Sequence, residues 1–266
     1  MKMHSRNPRG VLGFALASAA SLSLCACGGG SGNATAGTSH APPSSSTAHA
    51  SGPHEARTSR SIPTRAEALA FADAVNLGVG DIPEASIAHR SRHRSSAREK
   101  QEYRACEHGI PQEHPFLERS SPKLERGKGL EGEEFTSAVG VVRDARSIPL
   151  SFRALQAPSV RGCVARVFTR NFSAQPVRES HWGHFSVSKL PVSAPGASAT
   201  FGIRVSGALN IPYSEVSLPF YWDMLGFALG HTEVTLMAGS VTQPVPSTTE
   251  QELLTLLLSR ARAHSL

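Results

Sequence analysis

Two cysteines, Cys106 and Cys163, stand within the C-terminal three quarters of this 266-residue chain. Neither lies two residues from another cysteine, so they lack the spacing of a zinc or redox motif. An even pair in an oxidising setting reads as a disulfide. It would close a loop of 58 residues, which chain entropy values at about 4 kcal/mol. His181-Trp182-Gly183-His184 sets two imidazoles three residues apart beside an aromatic ring. On a helix that spacing could hold a metal, but Gly183 favours a surface turn. Gly127-Lys128-Gly129-Leu130-Glu131-Gly132 has the letters of a dinucleotide fingerprint. That fingerprint needs a strand before it and a helix after it. Here a polar loop is expected before it and a strand after it, so it reads as a flexible loop. Glu131, Glu133 and Glu134 could be an acid–base pair, or a solvated loop edge. No G-x-S-x-G, H-E-x-x-H or G-x-x-x-x-G-K-[ST] motif is present. The sequence therefore offers no catalytic residue, no metal ligand set and no cofactor site, and a non-enzymatic role is expected. Tyr221-Trp222-Asp223-Met224 is the densest aromatic spot. Tyr221 and Trp222 are the expected wall of any ligand cleft.

Several elements must position these groups. Thr64-Arg65-Ala66-Glu67 is a capping box opening a helix whose face carries Ala68, Leu69, Phe71, Ala72 and Val75. His89 to Lys100 is basic and almost without apolar residues; it reads as a solvated loop or exposed helix, with a phosphate patch as the alternative. Phe135 to Val142 is a strand. Ala145 to Phe168 is helical, broken near Pro149 and Pro158. Phe185 begins a short strand, and Phe201, Ile203 and Val205 alternate with polar or small residues as a half-buried one. Tyr213 to Leu229 holds one or two strands, with Pro219 at an edge or bulge. Gly230-His231 is a tight turn into a strand over Glu233 to Ala238. Ser247 and Glu250 form a second capping box, and Leu253, Leu254, Leu257, Leu258 and Ala261 share the face of a closing helix. The expected class is α+β, an antiparallel sheet packed between helices.

The start of the chain has a different character. Lys2, Arg6 and Arg9 precede an uncharged small and apolar run from Val11 to Leu24. That is a secretory signal pattern, and the run is too short to span a bilayer as a helix. Removing residues 1–26 would lower the net charge from +6 to +3. The basic isoelectric point is thus partly the signal's, and nucleic acid is not an expected partner. Gly28 to Ser61 contains no Val, Leu, Ile, Met, Phe, Tyr or Trp. Such a segment has nothing to bury and is expected to be a disordered tether. The expected organisation is a signal over residues 1–26, an anchor and tether over 27–62, and a globular domain over 63–266. Hydrophobic residues at 39% and aromatics at 6% agree with part of the chain lying outside a core. No apolar run is long enough to make a polytopic membrane protein, and four cysteines are too few for a dense disulfide scaffold.

Leu24-Cys25-Ala26-Cys27-Gly28 resembles the lipobox of bacterial lipoproteins. The resemblance implies cleavage before Cys27 and a lipid on its sulfur, with membrane lipid as the partner of the anchor. The element order then resembles envelope lipoproteins and extracytoplasmic sensor domains of high-GC Gram-positive bacteria. It comprises an opening helix, a strand ending in Val141-Val142-Arg143-Asp144, a helical segment carrying Cys163, later strands and a leucine-rich closing helix. Those domains are similar in fold to the PsbP-like proteins. The resemblance implies binding or sensing at the outer face of the cell membrane, with an envelope protein or a small apolar ligand as partner. It supplies no ligand residues. The alternatives are an envelope hydrolase, or a metal- or haem-binding lipoprotein, built on His181, His184 and His231.

Overall fold

The computed structural model describes residues 63–88, 97–106, 115–173, 181–211, 216–264 and 266. The signal, Cys27, the tether and the basic residues 89–96 lie outside the described residues. In chain order the elements are α1 (Arg65–Val75), β1 (Ser86–Ile87), α2 (Ala97–Cys106), β2 (Leu117–Ser120), β3 (Leu124–Arg126) and β4 (Glu133–Val141). Then come α3 (Ser147–Leu155), α4 (Pro158–Ser173), β5 (His181–Trp182), β6 (Ser186–Lys189), β7 (Ala199–Asn210), β8 (Ser217–Leu229), β9 (Thr232–Val241) and α5 (Ser247–Ala263). The fold is α+β.

One antiparallel sheet organises the molecule. Its long centre runs β4-β9-β8-β7. The outer edge of β4 is covered by β3 and then β2 along its length, and the outer edge of β7 by β6 and then β5. Strand residues alternate between two faces. On β8, Leu225 and Phe227 join the cluster under α1 and α5, with Phe135, Val139, Leu236, Leu254 and Leu257. Trp222, Met224 and Ala228 join the cluster under α3 and α4, with Phe152, Val164, Phe168, Phe201 and Val205. Both faces of the sheet are therefore covered by helices, which is why β8 is apolar and buried almost without a break from Phe220 to Ala228.

Local sequence accounts for the element ends. The Thr64 box is formed: Thr64 Oγ1 accepts from the Glu67 amide, and the Glu67 carboxylate accepts from the Thr64 amide at 2.7 Å. Pro149 does not break a helix; it sits in the first turn of α3, where its missing N–H costs nothing, and Pro158 opens α4 in the same way. Tyr213 to Leu229 contributes a single strand over its described part. Pro219 falls where β8 extends past its ladder with β9, which starts at Phe220. Leu229 and Thr232 pair directly, leaving Gly230-His231 as a two-residue hairpin loop. Gly230 has φ +55°, as the first central position of such a turn requires. A short strand, β3, precedes the Gly127 to Gly132 stretch where a loop was expected, and β4 follows it. No helix follows, so the stretch connects two antiparallel strands and lacks the geometry of a phosphate cradle.

The closing helix differs from expectation in one respect that matters later. Pro246, not Ser247, occupies the N-cap, and no side chain caps α5. Glu250 falls in the fourth helical position instead of the third. It turns inward and is buried. At the other end of α5, Arg260 forms a two-pronged pair with Asp81 at 2.6 and 2.8 Å, tying the last turn to the segment after α1. Cys106 and Cys163 are joined, with Cα atoms 5.4 Å apart, so the bridge ties the end of α2 to the middle of α4.

Candidate functional site

The β7–β8 ladder sets Arg204 directly opposite Asp223. Both face the α5 side of the sheet, since the flanking residues Ile203, Val205, Trp222 and Met224 belong to the opposite core. Arg204 Nε donates to Asp223 Oδ1 at 2.7 Å, and Nη2 donates to Oδ2 at 2.6 Å. This is a fork-to-fork pair, the strongest geometry a guanidinium offers a carboxylate. Asp223 is 1% exposed, while the Arg204 side chain is 22% exposed and lies 5.8 Å from the centre of the Tyr221 ring.

Glu250 descends onto this pair from the first turns of α5. It is 3% exposed. No N–H or O–H donor among the described residues reaches its carboxyl group, and Oε1 has no partner. Its polar neighbour is Asp223, with which it shares a hydrogen bond. Two buried carboxyl groups facing one guanidinium cannot both ionise cheaply. Burial pushes the Glu250 carboxyl up to about 9, the hydrogen bond to Asp223 and its charge add to that rise, and Arg204 opposes it. Glu250 therefore holds a proton at neutral pH. The trio is electrically neutral: one guanidinium and two carboxyl groups that hold one proton between them.

Arg204 and Glu250 line a pocket of about 850 Å³ that opens to solvent, whereas the buried Asp223 does not reach it. The segment after β6 makes one wall with Leu190, Pro191 and Val192, and Leu225 lies beneath. The first three turns of α5 make the opposite wall, with Thr248, Gln251 and Thr255. Gly202 lets the wall segment cross β7. A Cβ at that position would lie 2.6 Å from both the Leu190 carbonyl oxygen and Val192 Cγ2. Gln251 Nε2 donates to the Ser193 carbonyl at 2.8 Å and links the wall to α5. Arg262 holds the same segment through the Pro195 carbonyl. The volume lies within the usual range for small-molecule sites, and so does the composition of apolar walls with a few convergent polar groups.

The expected wall residues are placed differently. Tyr221 and Trp222 are adjacent on β8, so they point to opposite faces. Trp222 is buried against Phe168 in the α4-side core and cannot meet a ligand here. Tyr221 is half-buried beneath Arg204 and does not line the pocket. In the sequence, Arg204 and Asp223 carry no site reading and Glu250 reads as part of a capping box. Asp223, the one acid inside an apolar strand, was the available signal.

The three histidines do not converge. His181 pairs across from Asn210 at one end of β7, whereas His231 sits in the hairpin beside the other end. That separation is roughly 35 Å of strand. His181 and His184 are exposed, and His231 Nδ1 lies 3.3 Å from the Val142 carbonyl oxygen. Among the described residues no three His, Cys, Asp or Glu side chains gather as a metal site. Glu133 and Glu134 are taken up by Arg126 and Lys123 along the β3–β4 edge and do not form an acid–base pair. Among the described residues no histidine lines the pocket.

No family model matches the chain, and no curated protein matches it in sequence. Among solved structures, the extracellular domain of PknH from Mycobacterium tuberculosis is similar at 11% identity and a TM-score of 0.38, over 73% of this chain and 96% of that one. A likeness of that degree bears on neither fold nor function.

Proposed function

We propose that this chain is a lipid-anchored extracytoplasmic lipoprotein that binds or senses a ligand without catalysing a reaction. The pocket between the segment after β6 and α5 would be its binding site. The observation that carries the reading is the pocket itself: an apolar wall of Leu190, Pro191 and Val192 beside Arg204 and Glu250, whose Oε1 has no partner. The Cys106–Cys163 bridge supports an oxidising compartment, where such bonds persist. The basic start, the apolar run and the Leu24 to Gly28 sequence support export and a lipid on Cys27. Among the described residues no helix is long and apolar enough to cross a membrane; acyl chains on Cys27 would supply the attachment.

Intact-mass and peptide mass spectrometry of the protein extracted from bacterial membranes tests both halves. The reading predicts a mature chain beginning at Cys27 with a diacylglyceryl adduct, lost in Cys27→Ala. It also predicts a co-purifying small molecule in gentle native spectra. A mature chain without lipid on Cys27 refutes the anchor, and turnover of an envelope ester or glycan by the purified protein refutes the non-enzymatic role.

A further inference from the structure

The polar end of the pocket has an unusual inventory. Glu250 can accept hydrogen bonds and receives none from the described residues. Arg204 spends Nε and Nη2 on Asp223, and no acceptor among the described residues takes its Nη1 hydrogens. The uncapped N-terminus of α5 brings Ser247 and Thr248 to the same pocket. The site thus offers an acceptor and several donors within a neutral cluster. We propose that the pocket takes a neutral amphiphile, an apolar chain ending in a hydroxyl head. The hydroxyl would donate to Glu250 and accept from Arg204, while the chain lies against Leu190, Val192 and Leu225. This rests on the pocket being the ligand site.

The alternatives fit less well. An anionic head would meet a guanidinium whose charge is already answered by Asp223, and would leave Glu250 without a donor. A cationic head would satisfy Glu250 and could meet the exposed Glu252, but inside the pocket it would sit beside Arg204 and the positive end of the α5 dipole. A plain hydrocarbon would bury Glu250 with its acceptor unsatisfied. Of these four heads, the hydroxyl is the one that both donates and accepts without bringing charge.

The test uses the full chain in the membranes of cells that express it. Three photoreactive probes share one twelve-carbon diazirine chain and differ in the head: alcohol, carboxylate or ammonium. After irradiation, labelling is mapped by peptide mass spectrometry. The alcohol probe should label the segments 190–193 and 247–255 about tenfold more than the other two, the ratio that follows when one head leaves a buried partner unpaired. Glu250→Leu should cut that labelling about tenfold. Glu250→Gln should keep it, because its amide donates to Asp223 as the protonated acid does and its carbonyl still accepts. Comparing Gln with Leu separates lost recognition from lost folding, and an intact Cys106–Cys163 bridge checks the fold of each. Equal labelling by the three heads overturns the proposal, as does equal labelling of the Leu and Gln variants. Strong pocket labelling by the acid or amine alone overturns the hydroxyl head and leaves the binding site standing. Absence of labelling from both segments with every probe overturns the site as well.

Discussion

Replacing Glu250 by glutamine should stabilise the protein, and the gain should grow with pH. In the unfolded chain this carboxyl titrates near 4.5, whereas in the fold burial and the neighbouring Asp223 push it up to about 9. Below the lower value both states are protonated, and Glu250 contributes no pH dependence. Between the two values the unfolded chain loses the proton and the folded chain keeps it, so stability falls as pH rises. By pH 7 the cost amounts to about 3 kcal/mol, and above the folded value it no longer grows. Glutamine donates to Asp223 through its amide and never titrates. The variant should match the parent near pH 4 and exceed it by about 3 kcal/mol at pH 7, equivalent to roughly 6–12 °C in melting temperature. Glu233, which burial pushes up to about 7 with Glu118 adding to the rise, titrates in both proteins and cancels in the difference. Urea unfolding followed by the fluorescence of the two tryptophans, at one-unit steps from pH 4 to 8, measures the gap. A gap that is constant with pH would refute a protonated Glu250, and a glutamine variant weaker than the parent at pH 7 would refute the carboxyl pair.

Three further outcomes follow from the packing. Replacing both Cys106 and Cys163 by alanine should cost about 4 kcal/mol by loop entropy, seen as a lower urea midpoint with the slope rising as the unfolded chain expands. Gly202→Ala should cost about 1–3 kcal/mol, since the new methyl must displace Leu190 and Val192, and it should disturb ligand capture along with stability. Arg260→Met removes the two-pronged partner of Asp81. Burial raises that carboxyl, but the Arg260 hydrogen bonds, the Gly78 amide and the Arg260 charge outweigh it and hold it below its ordinary value. The pair therefore adds stability above about pH 4 that is lost as pH falls. The variant should lose about 1–3 kcal/mol at pH 7 and less at pH 3, measured by the same unfolding series.

The layers of this fold could be read from the chain, and the site could not. Period-2 alternation at Phe201, Ile203 and Val205, the leucine stripe from Leu253 to Leu258, and the Gly230-His231 turn each depend on neighbours within a few residues. Short-range patterns suffice for such elements. The disulfide followed from counting, since the domain holds only two cysteines. The site depends on register. Arg204 meets Asp223 because β7 and β8 pair with those residues opposite each other, a fact no local window contains.

Glu250 departs from its sequence pattern because the helix starts one residue earlier than the pattern implies. Ser247 and Glu250 have the spacing of a capping box, and a box there would have placed the carboxylate at the helix end in solvent. Pro246 takes the N-cap instead, which advances Glu250 by one helical position, about 100° around the axis. That single step carries the carboxyl from the rim of α5 to its buried face, above Asp223. Leu253, Leu254, Leu257 and Leu258 fix the rotation, because their burial on the sheet determines which residue of the first turns faces down. The apolar stripe thus outweighs the cap, as four buried leucine side chains at about 1.5–3 kcal/mol each outweigh one hydrogen bond of about 1 kcal/mol. An acid thrust into a core by its own helix would ordinarily be eliminated or paired with a cation. This one meets another acid, leaves Oε1 without a partner and lines a pocket, which makes it the group on which the proposed binding role is most directly tested.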